Sequence, residues 1–408
     1  MQCGLLGAKL GHSYSPFIHS QLGDYAYGLF EKAPEELADF LKNGDFSGLN
    51  VTIPYKKAVI PFCAALSPEA KALGAVNTIV RKEDDTLMGH NTDYFGFETM
   101  LKHSGLSIAG KKALVLGSGG ASNTAVAVLQ ACGAQVVVIS RSGEDNYGNL
   151  HRHYDADLIV NATPVGMYPN NEDAPLSLEC FRHLESVLDL IYNPARTKLL
   201  MDAEKRGIVT ENGLLMLVAQ AKESAQWFTG RKIDDSVIPA IHKALRKQME
   251  NIILIGMPGS GKSTVGAILA EKTGKALIDA DAYLEQKAGC SIPQIFDEVG
   301  ELGFRHLETQ VLRELGKQSG TIIATGGGCV TKAENYPLLH QNGRIFCLHR
   351  KITNLPTLGR PLSQATDLEE MYRIRLPLYQ RFADHFIDNN GSAEATAAEI
   401  LKIWEETP

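Results

Sequence analysis

The chain lacks the marks of several protein classes. Its seven cysteines are odd in number, scattered, and never form a Cys-x-x-Cys pair, which points to a reducing compartment and not to a disulfide framework. No apolar run approaches the roughly 20 residues that a membrane helix needs. The opening 20 residues hold no basic segment followed by an apolar one, so no secretory leader is expected and the chain reads as cytoplasmic, without a membrane partner. A basic excess is missing too: 40 Lys and Arg against 47 Asp and Glu leave a formal net charge of −7. That balance argues against a nucleic-acid partner, because neutralising phosphates needs surplus cations. Small anions stay within reach, since they need only a few local cations. No short-period repeat or low-complexity stretch is visible.

What is present fits a multidomain globular protein. At about 150 residues per domain, 408 residues suggest two or three. Short β-rich runs (Ala113–Gly117, Gln135–Ser140, Leu158–Asn161, Val187–Leu190, Asn251–Gly256, Thr321–Ala324) alternate with helical patterns, which predicts parallel α/β sheets. A polar, helix-like stretch, Asp234–Glu250, precedes the new apolar strand Ile252–Ile255, so the main boundary is expected near 248. Residues 1–95 carry their own strand and turn pattern ahead of the Ala113 strand. A substrate lobe and a cofactor lobe are therefore expected in the first part, with an active site in the cleft between them.

The most specific pattern is Gly256-Met-Pro-Gly259-Ser260-Gly261-Lys262-Ser263, which matches G-x-x-x-x-G-K-[ST] between an apolar strand and the helical run Thr264–Lys272. The glycines let backbone N–H groups turn inward around phosphate oxygens. Lys262 adds a point charge, and the Ser263 hydroxyl can ligate Mg2+. Downstream, Asp279 and Asp281 sit two apart at a strand end and project to one side, suiting a metal and a substrate hydroxyl. A solvated pair capping the next helix is the plain alternative. Arg305 and Glu308, three apart on a helix, can aim a guanidinium at an anion, although such a pair is more often a surface ion pair. Gly326-Gly327-Gly328 after strand Ile322–Ala324 permits close ligand approach, or simply a tight turn.

In order and approximate spacing, the P-loop, Asp279-x-Asp281, Gly303-Phe-Arg305-x-x-Glu308, Gly326–Gly328, Gly359-Arg360-Pro361-Leu362 and Arg375-x-Pro-Leu-Tyr379 resemble shikimate kinases over about 250–405. The resemblance implies that Gly256, Gly259, Ser260, Gly261, Lys262, Ser263, Thr264 and Arg360 bind ATP, and that Ser263 and Asp279 hold Mg2+. It implies that Asp281 contacts the shikimate hydroxyls and assists removal of the attacking proton. Arg305 and Arg375 would grip the substrate carboxylate beside Gly326, Gly327 and Gly328. Lys262, Asp281 and Arg360 would be the catalytic groups, Arg360 arriving with a lid. In that lid the chain departs from the family: the stretch Thr353–Gly359 is short, and an arginine that commonly stacks on adenine has no counterpart.

Earlier in the chain, Gly117-Ser-Gly119-Gly120-Ala121-Ser122 follows a strand and opens a helix, with Ser122 where a strict G-x-G-x-x-G has its third glycine. The helix start still suits a pyrophosphate. The next strand ends in Ser140-Arg141 and not in an acidic residue, which favours the 2′-phosphate of NADP over NAD, with Glu144 and Asp145 nearby as counterweights. His12-Ser13-Tyr-Ser15-Pro, Asn50-Val-Thr52-Ile-Pro-Tyr-Lys56, Ala75-Val-Asn77-Thr78 and Asn91-Thr92-Asp93 are each ordinary as turns or caps.

Together with Asn161-Ala-Thr163-Pro, Gly213 and Met216-Leu-Val-Ala-Gln220, these segments resemble shikimate dehydrogenases over about 1–245. The resemblance implies that Lys56 and Asp93 are the catalytic pair, passing a proton as hydride is transferred. Ser13 and Ser15 would bind the carboxylate, and Thr52, Asn77 and Gln220 the ring hydroxyls, with Asp93 and Tyr192 also at the substrate. Gly117, Gly119, Gly120, Ala121, Ser122, Ser140, Arg141 and Gly213 would bind NADP. After the second cofactor strand the family's second basic residue is absent, and the short stretch to Asp157 predicts the loss of a helix.

The two resemblances imply an α/β protein: a two-lobed dehydrogenase with a Rossmann-like cofactor lobe, followed by a P-loop NTPase-type parallel α/β kinase domain. The expected layout is 1–96 plus about 217–248 as the shikimate-binding lobe, 97–216 as the NADP-binding lobe, and 249–408 as the kinase. The expected activity is reduction of 3-dehydroshikimate with NADP(H) and then phosphorylation of shikimate with ATP and Mg2+. Two alternatives stay open: an NAD-dependent quinate/shikimate dehydrogenase fused to a small-polyol kinase, and one half retained as a non-catalytic ligand-sensing module.

Overall fold

The computed structural model describes residues 1–11, 13–355 and 368–406. It divides into two compact units, Met1–Tyr192 with Leu199–Leu245, and Asn193–Lys198 with Arg246–Pro408. The change of unit falls within the helix Val237–Met249.

The first unit contains two sheets. Strands β1 (Gln2–Gly7), β2 (Ala26–Glu31), β3 (Gly48–Val51), β4 (Ala65–Leu66), β5 (Thr78–Arg81) and β6 (Leu87–His90) form a mixed sheet in the order β2-β1-β3-β5-β6-β4. Every residue of β3 is buried, as a central strand requires. Leu6, Leu41, Leu49, Val51, Val76 and Ile79 build the core beneath it. The helix Leu214–Thr229 returns from far along the chain to pack on β3 and β5. Its seat is cut to shape: a Cβ at Gly48 would stand 2.3 Å from the Phe228 ring.

Strands β7 (Lys112–Leu116), β8 (Gln135–Ile139), β9 (Leu158–Asn161), β10 (Ser186–Asp189) and β11 (Val209–Asn212) form a wholly parallel second sheet in the order β11-β10-β9-β7-β8. Ala113 and Val115 enter one core with Val128 and Leu129 of the helix Gly120–Ala131, whereas Leu114 and Leu116 enter another with Leu199 and Leu200. That alternation is the period of two of a strand covered on both faces. β7 lies between β8 and β9, so the winding reverses at its carboxyl end, where open α/β sheets bind ligands. Between β8 and β9 the described residues form only a single 3-10 turn, Leu150–His153, matching the helix expected to be absent.

The second unit holds the third sheet, also wholly parallel. Strands β12 (Asn251–Ile255), β13 (Ala276–Asp279), β14 (Thr321–Ala324), β15 (Gly343–His349) and β16 (His385–Asp388) take the order β13-β14-β12-β15-β16. β12 is buried throughout and central, which sets the loop after it at the middle of the sheet's carboxyl edge. Among the described residues no helix is long and apolar enough to cross a membrane.

Candidate active sites

In the first unit, Lys56 lies in the turns after β3, and its carbonyl accepts the Val76 N–H at 2.8 Å. Asp93 opens the helix Asp93–His103, its N–H donating to Asn91 Oδ1 at 3.1 Å. The two side chains meet: Lys56 Nζ donates to Asp93 Oδ2 at 2.6 Å, with 27% and 13% of the side chains exposed. A pair so held is partly shielded from water and still open to a ligand. Asn77 Nδ2 donates to the other Asp93 oxygen at 2.9 Å, and Asn77 Oδ1 accepts the Thr92 N–H at 2.7 Å. Thr92 Oγ1 reaches Gln220 Oε1 at 3.5 Å and Ser224 Oγ at 3.0 Å. Ser224 closes the network on Thr78 Oγ1 at 2.8 Å and Asn50 Nδ2 at 2.7 Å. Where the helices carrying Asp93 and Gln220 cross stands Gly96, whose Cβ would lie 2.8 Å from Met216 O. Only the smallest residue lets the two helices approach this closely.

The remaining expected substrate contacts lie outside these bonds. Ser13 Oγ accepts the Ser15 N–H at 3.2 Å, and Ser15 begins the helix Ser15–Ser20, which packs on the Gln220 helix. Thr52 follows β3, its N–H donating to Leu6 O at 2.9 Å. Tyr192 meets Tyr14 edge-on with ring centroids 6.3 Å apart; burial, reinforced by Tyr14, pushes its phenol above the usual tyrosine range.

At the end of β7, Gly117 has φ 107, a left-handed backbone. A Cβ at Gly119 or Gly120 would meet nothing within 4 Å, so the helix Gly120–Ala131 offers an open N-terminus to a pyrophosphate. Ser122, in place of a third glycine, is buried and donates its hydroxyl to Gly117 O at 2.7 Å, tying the first helical turn, with Ala121, back to the loop. After β8, Ser140 is buried and Arg141 exposed. Asp145, one of the two acidic neighbours, is bonded through Oδ1 to His153 Nε2 at 2.8 Å. Gly213 is fixed by packing as well as by any ligand, because a Cβ there would lie 2.1 Å from Leu190 O.

In the second unit a cavity of about 590 Å³ opens at the carboxyl edge of the third sheet. Gly256, Gly259 and Gly261 turn the loop after β12 with φ 144, 81 and 94, conformations that other residues rarely adopt. Lys262, at the start of the helix Lys262–Thr273, donates to Gly256 O at 3.0 Å and Met257 O at 3.1 Å. Ser263 Oγ donates to Asp279 Oδ2 at 2.6 Å, and Thr264 lines the cavity beside it. The other Asp279 oxygen caps the helix Ala280–Ala288 by accepting the N–H groups of Asp281 and Ala282 at 3.1 and 3.2 Å. Asp279 therefore serves both readings at once, cap and potential metal ligand. Asp281 faces the cavity; burial raises its carboxyl above the usual range, with Lys262 opposing and Asp279 adding to the effect.

Arg305 and Glu308 do not form the surface ion pair that their spacing most often signals. They are 5% and 3% exposed, with Nη1 donating to Glu308 Oε2 at 2.8 Å. The three glycines after β14 are dictated by crowding. A Cβ at Gly326 would stand 2.6 Å from Asp281 Oδ1, at Gly327 2.6 Å from Pro258 Cδ, and at Gly328 2.2 Å from Arg305 Nη2. Arg375 Nη1 and Tyr379 OH, both on the helix Leu368–Phe382, donate to Gly327 O at 3.2 and 2.5 Å. Arg360 and its Gly-Arg-Pro-Leu motif lie outside the described residues.

Among the described residues no cluster of three or more His, Cys, Asp or Glu side chains forms a metal cage. The hard-oxygen pair of Ser263 and Asp279 fits Mg2+ nonetheless, since that ion takes one or two protein ligands and completes its shell with water and phosphate. Ser224, Arg350 and Asn389 also belong to these sites and were not foreseen from the sequence. Ser224 lies one helical turn beyond Gln220, a spacing that could have identified it.

A Gly-rich helix entry in the same unit as a partly shielded Lys–Asp pair, and a P-loop sharing a cavity with buried arginines, define a dinucleotide-dependent oxidoreductase followed by a P-loop phosphotransferase. Comparison with known proteins makes both halves specific. The family model for the shikimate dehydrogenase substrate binding domain matches residues 5–79, and that for shikimate kinase matches residues 258–405. A shikimate dehydrogenase (NADP(+)) of Clostridium perfringens is 37% identical over 265 residues, covering 60% of this chain and 97% of its own. The solved structure of shikimate dehydrogenase 1 from Peptoclostridium difficile is 39% identical with a TM-score of 0.56, covering 60% of this chain and 97% of its own. Shikimate 5-dehydrogenase from Thermus thermophilus, solved with NADP(H) and shikimate, is 32% identical with a TM-score of 0.55, covering 60% of this chain and 99% of its own. The chain belongs to the shikimate dehydrogenase family and carries a shikimate kinase domain after it. It is a bifunctional shikimate-pathway enzyme that uses NADP(H) in one activity and ATP in the other.

Proposed function

We propose that the first unit reduces 3-dehydroshikimate to shikimate and that the second phosphorylates the 3-hydroxyl of shikimate. In this reading residues 1–96 with about 217–248 hold the substrate, 97–216 hold NADP(H), and 249–408 are the kinase, in a cytoplasmic enzyme without nucleic-acid or membrane partners. The observations that carry it are the Lys56–Asp93 contact at 2.6 Å in one unit and, in the other, one cavity lined by the P-loop, Asp281, Arg305 and Arg375.

NADPH supplies the hydride. As the carbonyl carbon accepts it, the carbonyl oxygen gains negative charge, and the Lys56 ammonium gives it a proton. Asp93 holds that ammonium in place, and Asn77, bonded to the second Asp93 oxygen, fixes the carboxylate. Ser13 and Ser15 take the substrate carboxylate, and Thr52, Asn77 and Gln220 the ring hydroxyls, with Tyr192 also at the substrate. Gly117–Ser122 and Gly213 seat the dinucleotide, with Ser140 and Arg141 at its 2′-phosphate.

In the kinase, Ser263 and Asp279 would hold Mg2+, which would draw charge from the phosphates. Asp281 accepts the proton of the 3-hydroxyl, and that oxygen attacks the γ-phosphorus as the bond to ADP breaks. Lys262 and Arg360 offset the charge on the transferring group. Arg305 and Arg375 hold the carboxylate, with Gly326–Gly328 letting the substrate lie close to the backbone. The test is an assay of full-length protein with both nucleotides, each product scored separately. Strong preference for quinate with NAD would replace the first assignment. Absence of shikimate 3-phosphate at saturating ATP, Mg2+ and shikimate, with the dehydrogenase active, would replace the second by a sensing role.

A further inference from the structure

β15 ends at His349, and the next residue, Arg350, lines the kinase cavity together with the P-loop. The backbone around it is held on both sides. His349 O accepts the Asn389 N–H at 2.8 Å, and Lys351 N–H donates to Asn390 Oδ1 at 2.9 Å. Asn389 is buried, donates Nδ2 to Ser260 O at 2.5 Å, and accepts the Thr396 hydroxyl at 2.7 Å. One asparagine thus couples the P-loop to the two strands beyond it and keeps Arg350 beside that loop. Arg350 Nη1 stands 3.9 Å from where a Cβ on Gly261 would be.

The other two arginines of the cavity have acceptors, Arg305 in Glu308 and Arg375 in Gly327 O. Arg350 differs. Among the described residues its guanidinium has no hydrogen-bond or ion-pair partner; its Nε is shielded from solvent, as is that of Arg305, but Arg305 has both terminal nitrogens paired. A shielded N–H without an acceptor is unfavourable unless a ligand supplies one. Sheet order sets Asp281 and Gly326–Gly328 on the β13–β14 side of the P-loop and Arg350 on the β15 side. An anion cradled at the start of the helix Lys262–Thr273 lies within reach of that side, and a planar guanidinium matches phosphate oxygens in pairs.

We propose that Arg350 binds the phosphate chain of ATP from the side of the P-loop opposite the shikimate pocket, a role that rests on the reading of this cavity as an ATP site. The test uses full-length Arg350→Met and Arg350→Lys, with steady-state kinase kinetics and calorimetric binding of ADP and of inorganic tripolyphosphate. The expected result for Arg350→Met is a KM for ATP raised about tenfold or more. ADP and tripolyphosphate should weaken together, while the KM for shikimate and the dehydrogenase rate stay within twofold. Arg350→Lys should recover part of the loss. A KM for ATP within twofold of the parent overturns the proposal. So does weakened ADP binding with tripolyphosphate unchanged, because the contact would then be to the base. A parent protein that binds neither ADP nor tripolyphosphate sinks the kinase reading and this proposal with it.

Discussion

Replacing Gly328 by alanine puts a methyl group where the Arg305 guanidinium lies. The new Cβ would stand 2.2 Å from Nη2 and 2.3 Å from both Cζ and Nη1. Carbon contacts settle at about 3.5 Å, so the guanidinium must retreat by roughly 1 Å. It has little freedom to do so, since Glu308 holds Nη1 at 2.8 Å, Glu301 holds Nη2 at 3.3 Å, and both Arg305 and Glu308 are buried. The backbone itself tolerates alanine, because Gly328 has an ordinary φ of −101. Misplacing a substrate-orienting group by about 1 Å costs on the order of 100-fold in rate, or about 2.7 kcal/mol of transition-state stabilisation. In an assay of shikimate-dependent ADP release, kcat/KM for shikimate should fall by about that factor. The KM for ATP should hold, as should the dehydrogenase rate in the same sample. In an Arg305→Ala background the second change should add little, because the group it displaces is gone. A Gly328→Ala enzyme within threefold of the parent, or two substitutions whose effects simply add, would refute the steric argument.

Lys56→Ala should abolish redox turnover and leave phosphorylation nearly intact, with Lys262→Ala doing the reverse; loss of both activities from either change would contradict separate sites. Arg141→Ala should raise the KM for NADPH by about tenfold and barely move that for NADH, and an equal rise for both would remove the 2′-phosphate contact. Burial raises the Asp281 carboxyl in the metal-free protein, and because the base must be ionised, kinase kcat/KM should rise with pH as Asp281 loses its proton and be lost as pH falls through that transition. Asp281→Asn should be slow and flat across that transition; a variant that keeps the parent's rate and pH profile would exclude Asp281 as the titrating base.

Local features were the most legible. Leu158–Asn161 and Thr321–Ala324 form strands with the ends their apolar runs suggest, and the helix at the P-loop extends only slightly beyond the expected Thr264–Lys272. The mixed order of the first sheet left no comparable trace, because strands β1 to β6 are short and pair across sequence gaps that no periodicity records. Side-chain context was equally hidden. Arg305 and Glu308 have the spacing of a surface pair, and only the approach of Gly328 and the cavity wall reveals them as buried. Asn77, expected among the ring hydroxyls, has its amide bonded to Asp93 and Thr92. Arg350 and Asn389 belong to no motif and meet the P-loop solely because β15 lies beside β12, with β16 one strand beyond.

The carboxamide at position 389 also bears on how this polypeptide can be dissected. A fragment ending before β16 would keep every glycine, the lysine and the serine of the phosphate loop, yet its Ser260 carbonyl would have lost its donor. For anyone cutting a minimal kinase from this chain, the indispensable terminus is therefore set past the last recognisable signature, by a residue that touches the loop only from behind.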